Sequence, residues 1–173
     1  MKKILVHMCC GPCATYVNKW LGDNGFDVRG LFYNPNIRPR IEYERRAITA
    51  KFYGMAAKIS VISEGQDREI AVGDCEGCYR VRLRRTAELA QALVFDSFTT
   101  TLLISPYQKH DLIRKIGEEA GAEFGVKFYY RDFRDGYRES RRMAREMKLY
   151  MQKYCGCGED IQQGKESFYA QAD

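Results

Sequence analysis

The stretch KILVHMCCGPCATYVNKWLGDNGFDVRGLFY, residues 3–33, reads as strand, helix, strand. Lys3 to Met8 is a short apolar run with a β-branched character, stopped by Gly11-Pro12. Thr15 to Leu21 carries Tyr16, Val17, Trp20 and Leu21 at helical spacing, and Gly22 to Gly25 ends it. Phe26 to Tyr33 is a second apolar strand, closed by Asn34-Pro35-Asn36. A βαβ unit of this length implies a parallel sheet, because only a crossover connection returns a strand in the same direction.

The rest of the chain continues the alternation. Helices are expected over Ile41–Ala57, Tyr79–Leu93, His110–Ala122 and Arg138–Tyr150. Short strands are expected over Lys58–Ile62, Phe95–Leu103 and Val126–Tyr130. The pattern predicts an α/β three-layer sandwich with a mostly parallel sheet of about five strands. Residues 1–173 read as one domain, with a polar tail after Gly158 expected to be loosely held.

Composition narrows the function classes. The chain is 45% hydrophobic and 29% charged, which suits an ordinary globular protein. No stretch approaches the roughly 20 apolar residues that span a bilayer, and the N-terminal run is too short for a signal peptide. A cytoplasmic protein without membrane partners is the expectation. In that reducing compartment the seven cysteines point to metal ligands or catalytic thiols rather than structural disulfides.

The cysteines fall in three clusters: Cys9, Cys10 and Cys13; Cys75 and Cys78; Cys155 and Cys157. Cys75-Glu-Gly-Cys78 is read as a loop that points two thiolates at one metal. Cys9 and Cys10 lie at the carboxyl end of the first strand, where α/β sheets place ligands. The helix dipole near Cys13 favours thiolate over thiol. A disulfide between Cys155 and Cys157 would close a small strained ring, so this pair suits reversible redox chemistry. Spacing alone leaves zinc and iron–sulfur open. Seven thiols exceed the needs of one tetrahedral zinc, and a full α/β core needs no metal to hold it together, which favours iron.

The layout around Cys9–Thr15 resembles the nucleotide-binding PP-loop/HUP-like α/β superfamily, whose adenylating members carry a Ser-Gly-Gly-x-Asp-Ser loop there. This loop departs from that pattern. Pro12 removes an N–H and cysteines replace the glycine and serine, so the position reads as reused for metal.

The net charge of +5 is modest, but the basic residues cluster. Arg82, Arg84 and Arg85 follow the Cys75/Cys78 pair, and Arg131 to Lys148 holds seven basic residues against four acidic. That segment includes Arg131, Arg134, Arg138, Arg141 and Arg142, with Phe133 and Tyr137 interleaved, while Arg38 and Arg40 flank Pro39. Arginine beside aromatic rings suits looped or single-stranded RNA. Solvated helix faces are the competing reading. His7 is read as a core histidine and Thr99–Thr101 as strand residues, with hydroxyls that could face a site.

Six motifs in order resemble the QueH-type epoxyqueuosine reductases. They are Cys9-Cys10-Gly-Pro-Cys13, Tyr33-Asn-Pro-Asn-Ile37, Cys75-x-x-Cys78 with Tyr79 and Arg82, Thr99-Thr-Thr101 through Ser105-Pro106, Arg131-Asp-Phe-Arg134 with Gly136-Tyr137, and Tyr154-Cys-Gly-Cys157. The resemblance implies two-electron reductive deoxygenation of the epoxide of epoxyqueuosine at the tRNA wobble position, the last step of queuosine synthesis. It implies a 4Fe–4S cluster, no cobalamin, and an external electron donor. Since a cluster passes one electron at a time, a second redox element is required. Cys9, Cys10, Cys75 and Cys78 are assigned to the cluster, with Cys155 and Cys157 as a redox pair or as ligands of a second mononuclear iron. Cys13 is left between ligand and neighbouring thiol. Tyr107, His110 and Tyr137 are candidate proton donors by residue type. A zinc-stabilised RNA-binding module and an ATP-dependent tRNA thiolation-type enzyme are the alternatives.

Overall fold

A computed structural model describes residues 1–65 and 74–156. Five strands form one sheet: β1 (Lys2–His7), β2 (Phe26–Phe32), β3 (Val61–Ser63), β4 (Ser97–Thr100) and β5 (Lys127–Phe128). Their order is β3-β2-β1-β4-β5, and every neighbouring pair runs parallel. The helices are α1 (Gly11–Asp23), α2 (Arg40–Ala57), α3 (Cys75–Ala92), α4 (His110–Phe124) and α5 (Tyr137–Glu146). α1 packs against α2 and α5, and α3 packs against α4. The expected α/β sandwich with a parallel sheet is what folds.

β1 and β4 lie at the centre, buried from Ile4 to His7 and from Ser97 to Thr100. A strand covered on both faces favours a continuous apolar run, which β1 has from Ile4 to Val6, whereas β4 buries Ser97, Thr99 and Thr100 beside Phe98. The chain moves outward from β1 through β2 to β3, then returns to β4 and continues to β5. The order therefore reverses between β1 and β4. At such a point the loops after adjacent strands part in opposite directions and leave a crevice at their carboxyl ends. Cys9 and Cys10 follow β1 into that crevice, and Thr101 follows β4.

Several boundaries differ from the sequence-based expectation, each for a local reason. α1 begins at Gly11 rather than Thr15, because Pro12 presets the first-turn backbone and Cys10 caps it, its sulfur accepting the Cys13 N–H. The Cys75/Cys78 pair is no loop. It forms the first turn of α3, capped by the Asp74 carboxylate, which accepts the Gly77 N–H at 2.7 Å. β4 ends at Thr100, whose hydroxyl accepts the Leu102 N–H and starts a 3₁₀ turn over Thr101–Ile104. α5 stops at Glu146: Lys148 turns left-handed and the Leu149 N–H reaches back to the Ala144 carbonyl. Among the described residues no helix is long and apolar enough to cross a membrane. Cys157 and the polar tail lie outside the described residues.

Candidate metal centre

Three sulfurs gather where β1 ends. The Sγ atoms of Cys9, Cys10 and Cys13 lie within 4.8 Å of one another. Adjacent residues leaving a strand and the third residue of the helix that follows supply them, so the turn itself makes the group. Cys13, whose role the sequence left open, is a full member. Thr101 fixes Cys9 from the neighbouring strand end: its Oγ1 accepts the Cys9 N–H at 3.1 Å and lies 3.3 Å from Cys9 Sγ. Gln152, arriving from the far end of the chain, donates Nε2–H to Cys10 Sγ at 2.8 Å.

The thiols share their protons unequally. Burial pushes the Cys10 thiol up, but the hydrogen bonds from the Cys13 and Cys9 side chains, the Cys13 N–H and the Arg46 charge outweigh it. Cys10 is thereby held well below the ordinary thiol range. Cys9 is pushed up to about 11, chiefly because it donates to Cys10, and Cys13 is pushed up in the same way. A sulfur that favours the thiolate form between two thiols suits the binding of a positive ion. Pro12 has no N–H and the Cys13 N–H is already taken, so this helix start is poorly equipped to cradle a pyrophosphate.

Cys78 faces the group from α3. It is buried, it receives Asn36 Nδ2–H at 3.1 Å, and it feels the charges of Arg82, Cys155 and Cys9. Cys75 is half-buried one turn earlier. Cys155 lies 3.8 Å from Gln108 Nε2, and Gln108 Oε1 in turn accepts from the Tyr79 hydroxyl at 2.6 Å. The structure thus draws Cys9, Cys10 and Cys13 into one tight group, with Cys78 in electrostatic reach of Cys9 and Cys155 in electrostatic reach of Cys78.

His7 is the core histidine expected. Nδ1 lies 2.9 Å from Thr100 Oγ1, and Nε2 lies 3.1 Å from both the Tyr33 carbonyl and Asn34 Oδ1. Nε2 meets only acceptors, so it carries the proton. Burial lowers the ring to about 4, with help from Arg82, and keeps it neutral. The ring ties the carboxyl ends of β1, β2 and β4 together behind the cysteines.

Of the candidate proton donors, His110 Nε2 bonds the Ser105 carbonyl at 3.0 Å at the start of α4. Tyr107 is 38% exposed, and its ring meets Tyr137 edge-on at 6.1 Å. The Tyr137 hydroxyl is buried with no hydrogen-bond partner among the described residues. Burial raises its phenol, the Arg141 charge lowers it, and the Cys13 charge reaches it.

The basic residues divide. Arg82 is a correction to the expected RNA surface: it is 1% exposed, with Nε donating to Asn36 Oδ1 at 2.9 Å. It lies on the inward face of α3 with Tyr79, Leu83 and Thr86, and its Nη2 has no partner among the described residues. The others are exposed or half-buried, but most hold a carboxylate. Arg40 pairs with Glu44, Arg84 with Glu123, and Arg85 with Glu64 and Glu88. Arg131 pairs with Asp135, Arg134 with Asp132, and Arg142 with Glu139 and Glu146. Arg131 also stacks on Trp20 at 4.2 Å, and Arg141 lies over Tyr137. Arg38 contributes its backbone, bonding Gly156 and Tyr154, and Arg138 sits in the first turn of α5.

Sequence reasoning missed Asn36, Arg46, Gln108 and Gln152. Asn36 sat within a quoted motif without a role. The other three are single polar residues distant in sequence from the cysteines they meet, and only the fold brings them in.

A family model described as Epoxyqueuosine reductase QueH matches residues 4–159. A protein of Dehalococcoides mccartyi named epoxyqueuosine reductase QueH is 36% identical over 169 residues, covering 90% of each chain. One of the same name from Thermotoga maritima is 34% identical over 184 residues, covering 96% of this chain and 94% of that one. A crystal structure titled as a predicted subunit of tRNA methyltransferase from Methanocaldococcus jannaschii superimposes with a TM-score of 0.59 at 12% identity, over 96% of this chain and 90% of that one. At that identity it shares the fold alone.

Proposed function

The chain belongs to the epoxyqueuosine reductase QueH family, and from that premise we propose how this oxidoreductase of queuosine synthesis does its work. The substrate is tRNA carrying epoxyqueuosine at the wobble position. Both epoxide C–O bonds break, an alkene forms, and oxygen leaves as water, which takes two electrons and two protons. The observation that carries the reading is the group of three sulfurs at the crevice between β1 and β4.

The donor set fits a 4Fe–4S cluster: buried and half-buried cysteine sulfurs, no carboxylate within the tight group, and N–H groups of Gln152 and Asn36 aimed at sulfur. Cys9, Cys10, Cys75 and Cys78 are the expected ligands, and Cys13 joins the candidates because its sulfur lies with the first two. Cys155 and Cys157 remain as a redox pair or as ligands of a second mononuclear iron. When bound, the cluster supplies electrons one at a time, drawn from an external donor, with no cobalamin.

The chain's own residues do the rest. Tyr137 holds a proton on a buried, otherwise unpaired hydroxyl beside Cys13, positioned to protonate a leaving oxygen. Arg82 offers an unpaired N–H and a positive charge inside the site, which offsets the negative charge of several thiolates. The wobble base must leave its stack to arrive here, at a few kcal/mol. Phosphate contacts by the arginines of α3 and α5 offset that. Their exposed carboxylate pairs are worth only about 0–1 kcal/mol each, so phosphates can displace them.

The test is anaerobic purification, iron and acid-labile sulfide analysis, and turnover of epoxyqueuosine-containing tRNA followed by nucleoside mass spectrometry. Iron, sulfide and queuosine together support the reading. A colourless zinc protein that binds RNA without converting it refutes it.

A further inference from the structure

The segment from Tyr150 to Gly156 has no regular secondary structure, yet its backbone is held closely. The carbonyls of Tyr154 and Cys155 accept from Arg46 Nη2 and Nη1, each at 2.7 Å, and the Gly156 carbonyl accepts the Arg38 N–H at 2.7 Å. Arg46 is 2% exposed, so this fork is internal. Its remaining donor, Nε, bonds Glu42 at 2.7 Å one turn earlier on α2. Glu42, 3% exposed, spends its other oxygen on the Tyr150 hydroxyl at 2.6 Å. The Tyr154 ring covers the guanidinium at 5.5 Å. Gly156 sits at φ +100, where a Cβ would come within 2.9 Å of Arg46 Nη1, so only glycine passes.

A buried ion pair is a poor stabiliser: apolar residues of similar volume commonly replace one without loss. What this pair does is specify position, since all three guanidinium nitrogens and both carboxylate oxygens are used in four hydrogen bonds, one within the pair and three on the segment. We propose that the Glu42–Arg46 pair is the positioning device that docks the Cys155-bearing segment onto the cysteine group. The docked segment places Gln152 against Cys10 and Cys155 beside Gln108. The inference builds on the reading that Cys155 serves this site, but docking is measured separately from catalysis.

The experiment is timed trypsin cleavage of the full chain, read by mass spectrometry at the exposed Lys153. Two variants are compared with the unaltered protein. R46K keeps a cation beside Glu42 but cannot fork onto two carbonyls. E42L/R46M removes both charges and leaves neither buried alone. Losing two charge-assisted hydrogen bonds raises the undocked population about a hundredfold. Cleavage after Lys153 is therefore expected at least about tenfold faster in both variants, with cleavage at Lys19 and Lys115 on α1 and α4 unchanged. Unchanged cleavage at Lys153, or a rise spread evenly over all three sites, overturns the proposal. Reductase turnover is followed in parallel. Selective release of the segment with full turnover supports the docking role and refutes the place of Cys155 in the chemistry.

Discussion

Gln152→Leu tests the electrostatics of the cysteine group at one hydrogen bond. Gln152 is buried, its Nε2 donates to Cys10 Sγ at 2.8 Å, and its Oε1 has no partner among the described residues. Leucine of similar size removes both groups, and the loss of an unsatisfied oxygen offsets the loss of the bond, so fold stability with Cys10 protonated should move by less than about 1.5 kcal/mol. A hydrogen bond to a charged acceptor is worth about 1.5–3 kcal/mol, so losing it should move the Cys10 thiol up toward the ordinary thiol range. The sign follows from linkage. Cys10 is depressed in the folded protein, so it contributes stability above the unfolded thiol range, and that contribution is lost as pH falls through the folded value. Cys9 and Cys13 are raised, so they contribute below the unfolded range and lose that as pH rises. The assay is far-ultraviolet thiolate absorbance of the reduced, metal-stripped protein, titrated between about pH 5 and pH 10. Superimposable titrations of Gln152→Leu and the unaltered chain would refute the reasoning.

Other outcomes follow from the same geometry. Cys13→Ala should lose iron and sulfide as severely as Cys9→Ala and Cys10→Ala, and a full complement of both would remove Cys13 from the ligand set. Tyr137→Phe should lower kcat by about 10²–10⁴-fold with little change in KM, as expected for loss of a proton donor; unchanged turnover would return the role to Tyr107 or to water. Binding of tRNA should weaken steeply with salt, with a log–log slope of several units, and Arg142→Ala should reduce that slope by about one. A salt-independent affinity would exclude the arginine-bearing faces of α3 and α5 as the phosphate contact. Thr101→Val should destabilise the protein by about 1–3 kcal/mol in thermal unfolding, since it leaves the buried Cys9 N–H without an acceptor.

Much of this architecture is legible in local sequence. β1 carries a continuous apolar run because both faces are covered there, β2 is buried only over its last three residues, Gly30 to Phe32, and the Gly-Pro turn follows Cys10 at the start of the helix. β5 shrinks to Lys127–Phe128 because only those two residues find register partners in β4. Other features carried signals that spacing alone did not weigh. Cys10-Gly-Pro-Cys13 is itself a Cys-x-x-Cys at a helix start, which is why Cys13 joins the group. Asp74 ahead of Cys75 is a capping residue, and it turns an expected loop into the first turn of α3. Arg82 recurs at helical spacing with Tyr79, Leu83 and Thr86, the buried face, so its inward position was readable from period. Arg46, Gln108 and Gln152 had no such signal. Each acts across more than forty residues of chain, and nothing adjacent in sequence marks a polar residue whose partner is supplied by the fold.

The central claim is that sulfurs from separate parts of the chain converge on iron at the crevice between β1 and β4. Anomalous diffraction at the iron edge, from crystals grown without oxygen, locates that iron directly. Density bonded to sulfurs of the Cys9, Cys10 and Cys13 group and also to the facing Cys78 is the predicted result. A signal only at the zinc edge, or iron bound away from the first turn of α1, would contradict it.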